Sequence, residues 1–326
     1  MTYQLANVLW RGTGLVRPEC VLTTARGYIY VSDFRGGVTE IAPSGEQQFF
    51  GGSAVGEYGI LKPNGIALLE NGDFLIAHLG DTLGGIFRIS RNNDIDPFLT
   101  EVDGEPLPPS NFVYLDRQGR IWITVSTRHQ PRAKAYRADI ADGFIVVIEN
   151  NQARIVADKI GYTNELYVDP DGSYLYVNAT FTRELLRYRI GHNSSLHDKH
   201  VVTRFEAGTY PDGLTRDIEG NFWVTSIVSN RIIKITPDGE QNVVLQDVDP
   251  QHLDWVEQAY QSHSMGRPHL DKVKSQTLQN ISSLAFGGEQ MNTLHLGCLL
   301  GEKIAVIESN IEGIKPAHWE FDNHRQ

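Results

Sequence analysis

The polar and apolar positions of this chain repeat in one layout. A short alternating stretch runs into a glycine, and a run of aromatic and β-branched residues follows it. Five segments show it: ECVLTTARGYIYVSD from Glu19, NGIALLENGDFLIAHL from Asn64, NFVYLDRQGRIWITVS from Asn111, NELYVDPDGSYLYVNA from Asn164 and DGLTRDIEGNFWVTSI from Asp212. Each opens on a carboxylate or amide side chain, and each has a glycine eight positions later. Alternation, glycine and β-branched run predict strand, tight turn, strand, with glycine taking the turn conformation that a Cβ resists. A looser sixth copy, SSLAFGGEQMNTLHLG, starts at Ser282.

The openers are separated by 45, 47, 53, 48 and then 70 residues. The first four intervals hold a four-stranded unit, because most of the paired strands are followed by two more, as in GIFRISRNNDIDPFL from Gly85 and RIIKITPDGEQNVVLQ from Arg231. Isolated hairpins of this kind cannot bury their apolar faces. Six blades around an axis can, so the fold class expected is all-β, a six-bladed β-propeller occupying 1–326 as one domain. Tyr3–Trp10 reads as a strand that completes the last blade. The long last interval contains a helical signal over 249–280: Asp249 as N-cap, Pro250 at the first helical position, Leu253, Val256 and Tyr260 on one face, then Gly266. These predict a helix of about four turns lying over the channel mouth as a lid or rim.

In such a ring the innermost strands start at one end of the channel. Glu19, Asn64, Asn111, Asn164, Asp212 and Ser282 therefore converge there. Asn and Asp are also common turn residues, but five in register point to a shared role. Two carboxylates with amide oxygens, and neither imidazole nor thiolate, suit a hard divalent cation such as Ca²⁺ or Mg²⁺. Four of these side chains plus water suffice, and Asn64 and Ser282 are the ones such an ion can do without.

Composition narrows the partners. With 29 Lys+Arg against 40 Asp+Glu the net charge is −11, which argues against nucleic acid or an anionic membrane. No apolar run approaches a membrane span, and the opening MTYQLANVLW lacks a signal-peptide pattern, so a cytoplasmic protein is expected. The two cysteines, Cys20 and Cys298, match no metal or redox spacing and read as buried thiols. Homo-oligomerisation stays open.

At Tyr210-Pro211-Asp212-Gly213-Leu214, with Asp217, Gly220 and Trp223 following, and at Leu284-Ala285-Phe286-Gly287-Gly288 through Thr293-Leu294, the chain resembles the senescence marker protein/gluconolactonase/luciferin-regenerating (regucalcin-like) family. The likeness covers roughly residues 10–310. It implies a six-bladed propeller, metal-dependent hydrolysis of lactones, and Glu19, Asn111, Asn164 and Asp212 as metal ligands. The sequence departs from the family pattern at Glu19-Cys20-Val21-Leu22, at Thr163-Asn164-Glu165 and at Phe112. Pro109 stands where sugar-lactonase relatives can carry an arginine for the substrate.

The expected activity is opening of a lactone by metal-activated water, with one divalent ion: Ca²⁺ first, with Mg²⁺, Mn²⁺, Zn²⁺ or Fe²⁺ as alternatives. Asp212 is the expected proton acceptor and Glu19 the second choice. Strand ends and the insertion put Arg128, His129, His78, Phe181 and His263, with Asn64, forward as substrate contacts. The segment Arg128–Asp142 is a second, locally basic rim. Alternatives are a broader esterase or organophosphate hydrolase of the same site, a non-catalytic ligand-binding propeller, and a strictosidine-synthase-like condensing enzyme.

Overall fold

The computed structural model describes residues 2–322; residue 1 and residues 323–326, the ends of the expected 1–326 domain, lie outside the described residues. Six four-stranded antiparallel sheets follow one another along the chain. Blade one is Val21–Thr23, Ile29–Asp33, Gly37–Ile41 and Gln47–Gly51, and blade two Pro63–Leu68, Phe74–His78, Ile86–Ile89 and Ile95–Leu99. Blade three is Ser110–Leu115, Ile121–Val125, Gly143–Glu149 and Gln152–Ile160. Blade four is Thr163–Val168, Tyr174–Ala179, Glu184–Ile190 and Leu196–Arg204, and blade five Tyr210–Arg216, Phe222–Ile227, Arg231–Ile235 and Gln241–Gln246. Blade six joins Ile281–Gly287, Thr293–Cys298 and Ile304–Glu308 to Leu9–Arg11 from the start of the chain, which closes the ring.

The closing strand is shorter than expected. Residues Leu5–Asn7 form a 3₁₀ turn, and Tyr3 leaves the strand to donate its backbone N–H to Val244 O of blade five at 2.7 Å. Its buried ring packs on Trp223, and its hydroxyl meets Ser309 Oγ at 2.6 Å. Burial of one large aromatic against a neighbouring blade outweighs two more ladder positions on an exposed strand.

The glycines eight after each opener, Gly27, Gly72, Gly119, Gly172 and Gly220, all take positive φ between 75° and 88°, as the turn requires. Aromatic and branched side chains fill the spaces between blades, with Trp122 and Trp223 fully buried. Each tryptophan is tied by its indole N–H to the carboxylate at the end of its innermost strand: Trp122 Nε1 to Asp116 Oδ2 at 2.7 Å and Trp223 Nε1 to Asp217 Oδ2 at 2.9 Å.

In blades two to six the ladder between first and second strands carries one extra residue at the opener, between Pro63 and Ile66, Ser110 and Phe112, Thr163 and Leu166, Pro211 and Leu214, and Ile281 and Leu284. Such bulges break the strict alternation and re-aim a side chain. Gly213, beside Asp212, shows how close the inner strands come here: a Cβ would stand 2.5 Å from Ser282 O.

The long connection into blade six holds α1 (Pro250–Gln261) and α2 (Arg267–Asp271). Asp249 caps α1 by accepting from His252 N, as the sequence predicts; the helix is 12 residues, just over three turns. It is pinned by Glu257, which takes the Tyr210 hydroxyl and Arg183, and by Tyr260, whose hydroxyl donates to Phe181 O at 2.6 Å. At the other end of the ring the segment after blade six crosses the channel. Ile314 N binds Arg216 O, Arg117 donates to Lys315 O, and Ala25 N binds Trp319 O.

Candidate functional site

The bulged openers meet at one end of the axis. Glu19, Asn64, Asn111, Asn164 and Asp212, each from a different blade, line one pocket and are all buried. Ser282, the sixth opener, instead donates to Glu19 O at 3.0 Å. The amides form a relay around the mouth. Asn64 Nδ2 donates to Asn111 O at 2.9 Å, Asn111 Nδ2 to Asn164 Oδ1 at 2.6 Å, and Asn164 Nδ2 to Thr180 Oγ1 at 3.0 Å. Thr180 in turn donates to Pro211 O at 2.8 Å, which reaches the Asp212 strand.

Charge is unevenly shared. Arg17 binds Glu19 through Nε at 2.9 Å and Nη2 at 2.7 Å, both to Oε2, so Oε1 of Glu19 is left open. Asp212 has no basic side chain within ion-pair distance among the described residues. Burial, then the carboxylates of Glu19 and Glu165, push its carboxyl well above the usual range, against Arg17 and a hydrogen bond from Asn164. Glu165 lies under the relay, where burial raises its carboxyl to about 8 although it accepts from Leu214 N at 2.9 Å. The Asp212 carboxyl, without a basic partner among the described residues, and Glu19, surrounded by amide oxygens, fit a hard cation. Among the described residues no three His, Cys, Asp or Glu side chains converge on one point, so such an ion depends on the amides.

Around this floor stand Arg132, Tyr136, Tyr162 and Phe181, and Arg267 and Leu270 of α2 close the top. Tyr136 stacks on Phe181 at 4.7 Å, and Tyr162 meets Phe181 edge-on at 4.7 Å. The enclosed space is about 30 Å³, room for an ion or a couple of waters but not for a sugar-sized ring.

Of the expected substrate contacts, Asn64 and Phe181 line the pocket, and four others do not. His78 sits behind the wall, where Nδ1 accepts from Lys62 N at 2.9 Å between Tyr58 and Phe87; burial lowers its pKa to about 4, so it is neutral. Arg128 turns along blade three, paired with Asp158 at 2.8 Å and lying over Phe144. His129, 2.8 Å from Asp142, and His263 near Asp139 line an open cleft on the outer rim. Their positions differ: His78 is the last residue of its strand, Arg128 and His129 lie three and four residues beyond Val125, and His263 follows the end of α1.

Residues 17–246 match the family model for the SMP-30/gluconolactonase/LRE-like region. The chain belongs to this family. Among its curated relatives, 6-deoxy-6-sulfogluconolactonase of Pseudomonas putida is 24% identical over 233 residues, 70% of this chain and 66% of that protein. The chain thus spans just under two thirds of that relative's length. Among solved structures, a luciferin-regenerating enzyme superposes with a TM-score of 0.69 at 17% identity, over 95% of this chain and 98% of the other. A calcium-binding regucalcin from Agrobacterium tumefaciens gives 0.66 at 16%, over 94% and 95%. At these identities the structural matches show the propeller alone.

Arg132, from a 3₁₀ turn of the basic rim segment, donates to Asn111 Oδ1 at 3.1 Å. Arg17 and Tyr162 escaped the sequence reading although a signal was present. Each stands two residues before an opener, outside the strands and at positive φ, 48° for Arg17 and 62° for Tyr162.

Proposed function

We propose that this protein is a metal-dependent hydrolase that opens a lactone. The observation carrying the reading is the meeting of Glu19, Asn111, Asn164 and Asp212, four oxygen donors from four blades, in one pocket where the buried Asp212 carboxyl has no basic partner among the described residues. Membership of the gluconolactonase family and the lactonase name of a relative support it. These four side chains would hold one divalent ion, Ca²⁺ by its preference for oxygen, with Mg²⁺, Mn²⁺, Zn²⁺ or Fe²⁺ as alternatives. When bound, the ion supplies Lewis-acid polarisation of the ester carbonyl and stabilises its developing negative charge.

The chain's own groups do the rest. Asp212 accepts a proton from the attacking water, and Asn164 orients it through their hydrogen bond. Arg17 fixes Glu19 from one side and leaves Oε1 facing the pocket. Tyr136, Tyr162 and Phe181 exclude bulk water. Attack on the acyl carbon breaks the ring C–O bond, the proton passes to the ring oxygen, and the hydroxy acid ionises. Arg267 and Leu270 of α2 border the way in.

The test is to strip the protein with chelator, refill it with each ion, and follow acid release from D-glucono-1,5-lactone by pH-stat. Activity lost on stripping and regained with one or more ions is expected. Equal turnover in stripped and refilled protein rejects the metal; no turnover with any lactone of a panel rejects the reaction.

A further inference from the structure

The pocket holds three guanidinium groups, and two have acidic partners. Arg17 pairs with Glu19 and Arg267 with Asp271. Arg132 has none among the described residues. Its Nη2 donates only to neutral acceptors, Asn111 Oδ1 at 3.1 Å and Ser126 Oγ at 3.2 Å, while Nε is buried without a partner and Nη1 makes no hydrogen bond. Arg132 is half-buried, and a buried donor such as its Nε is costly to leave without an acceptor. The guanidinium is held over the Tyr162 ring, 5.4 Å from its centroid. Tyr136 hydrogen-bonds Tyr162, and Arg267 of α2 hydrogen-bonds Tyr136 and lies near Tyr162. Two guanidinium groups thus adjoin the tyrosine pair.

From this we infer that the substrate is a lactone bearing an anionic substituent, a phosphate, sulfonate or carboxylate, which Arg132 binds with Arg267 beside Tyr136 and Tyr162. The inference rests on the lactonase reading and adds the substrate class. The chain as a whole is acidic, net −11, and the pocket floor carries two carboxylates, so general electrostatics disfavour an anion there. Selectivity must come from these local donors, whose planar fork matches an oxyanion.

The experiment compares kcat/KM for D-glucono-1,5-lactone and its 6-phosphate in wild type, Arg132→Gln, Arg132→Lys and, as a control at an exposed position on the third strand of blade four, Arg189→Gln. It is paired with calorimetric binding of gluconate and 6-phosphogluconate. We expect the phosphorylated lactone to be favoured at least tenfold, the ratio to fall near one in Arg132→Gln, to recover partly in Arg132→Lys and to persist in Arg189→Gln. A wild-type ratio at or below one, or equal losses on both lactones in Arg132→Gln, overturns the inference and leaves the hydrolase reading standing. If neither lactone opens, that reading fails separately and binding decides: 6-phosphogluconate held at least tenfold tighter than gluconate only while Arg132 is present sustains the anion site, and equal affinities overturn it.

Discussion

Replacing Asp212 by asparagine separates a metal ligand from a structural carboxyl. Asp212 is buried beside Glu19 and Glu165, accepts a side-chain hydrogen bond from Asn164, and burial favours its neutral form. A protonated acid and an amide are nearly the same shape, so Asp212→Asn keeps the acceptor and the neutral charge state; the stripped variant should melt no lower than stripped wild type. The bound ion is the other half of the comparison. At an ion concentration one hundred times Kd, binding to the folded state alone adds about 2.7 kcal/mol. For a chain of 326 residues the unfolding entropy is about 0.7 kcal/mol per kelvin, so 1 kcal/mol moves Tm by about 1.5 °C. Calcium should therefore raise wild-type Tm by about 4 °C and the variant's by less than about 1 °C, read by scanning calorimetry with metal analysis of the same samples. A full calcium shift in Asp212→Asn, or a stripped variant melting several degrees lower, would refute the reasoning.

Three further outcomes follow from packing and charge. His295 is buried and its pKa is lowered by burial to about 4, so it stays neutral when folded but protonates near 6.5 when unfolded. Its contribution is complete above about pH 6.5 and declines as pH falls toward 4, by about 2 kcal/mol at pH 5. Urea titrations at pH 7 and pH 5 should show that His295→Phe loses about 2 kcal/mol less than wild type between the two; an identical loss rejects the assignment. Asp217 accepts from Asn221 N, Asn221 Nδ2 and Trp223 Nε1 at 2.8, 2.8 and 2.9 Å, and Asp217→Ala leaves buried donors unpaired. A cost of about 4 kcal/mol, or about 6 °C in Tm, is expected by calorimetry, and a drop under about 2 °C counts against it. Glu257→Ala cuts α1 from Arg183 and Tyr210; amide exchange within 250–261 should quicken about thirtyfold, equivalent to about 2 kcal/mol of local stability. Unchanged exchange there would show that apolar packing alone holds the helix.

The propeller was legible because its signal is repeated. One alternating stretch with glycine at a fixed distance is ambiguous, but five copies fix strand, turn and period together. The Asp249 cap and Pro250 marked the helix start for local reasons that survive any tertiary context. The openers could be named for the same reason, since each begins a copy. What aims them at the axis, one extra residue in each inner ladder of blades two to six, leaves no mark in composition. Arg132 was equally hidden. It lies 21 residues beyond Asn111, and only the fold of the basic rim segment brings the two within hydrogen-bond distance. Arg128 and His129, in the same segment, drew attention by position alone and turn outward onto Asp158 and Asp142.

The segment that runs from Gly313 to Trp319 over the far end of the ring, bonded to Arg216, Arg117 and Ala25 of three different blades, makes the bore a cul-de-sac. For the hydrolase proposed above, the pocket beneath α2 would then serve as both entrance and exit, and a lingering product and an incoming molecule would compete for the same threshold.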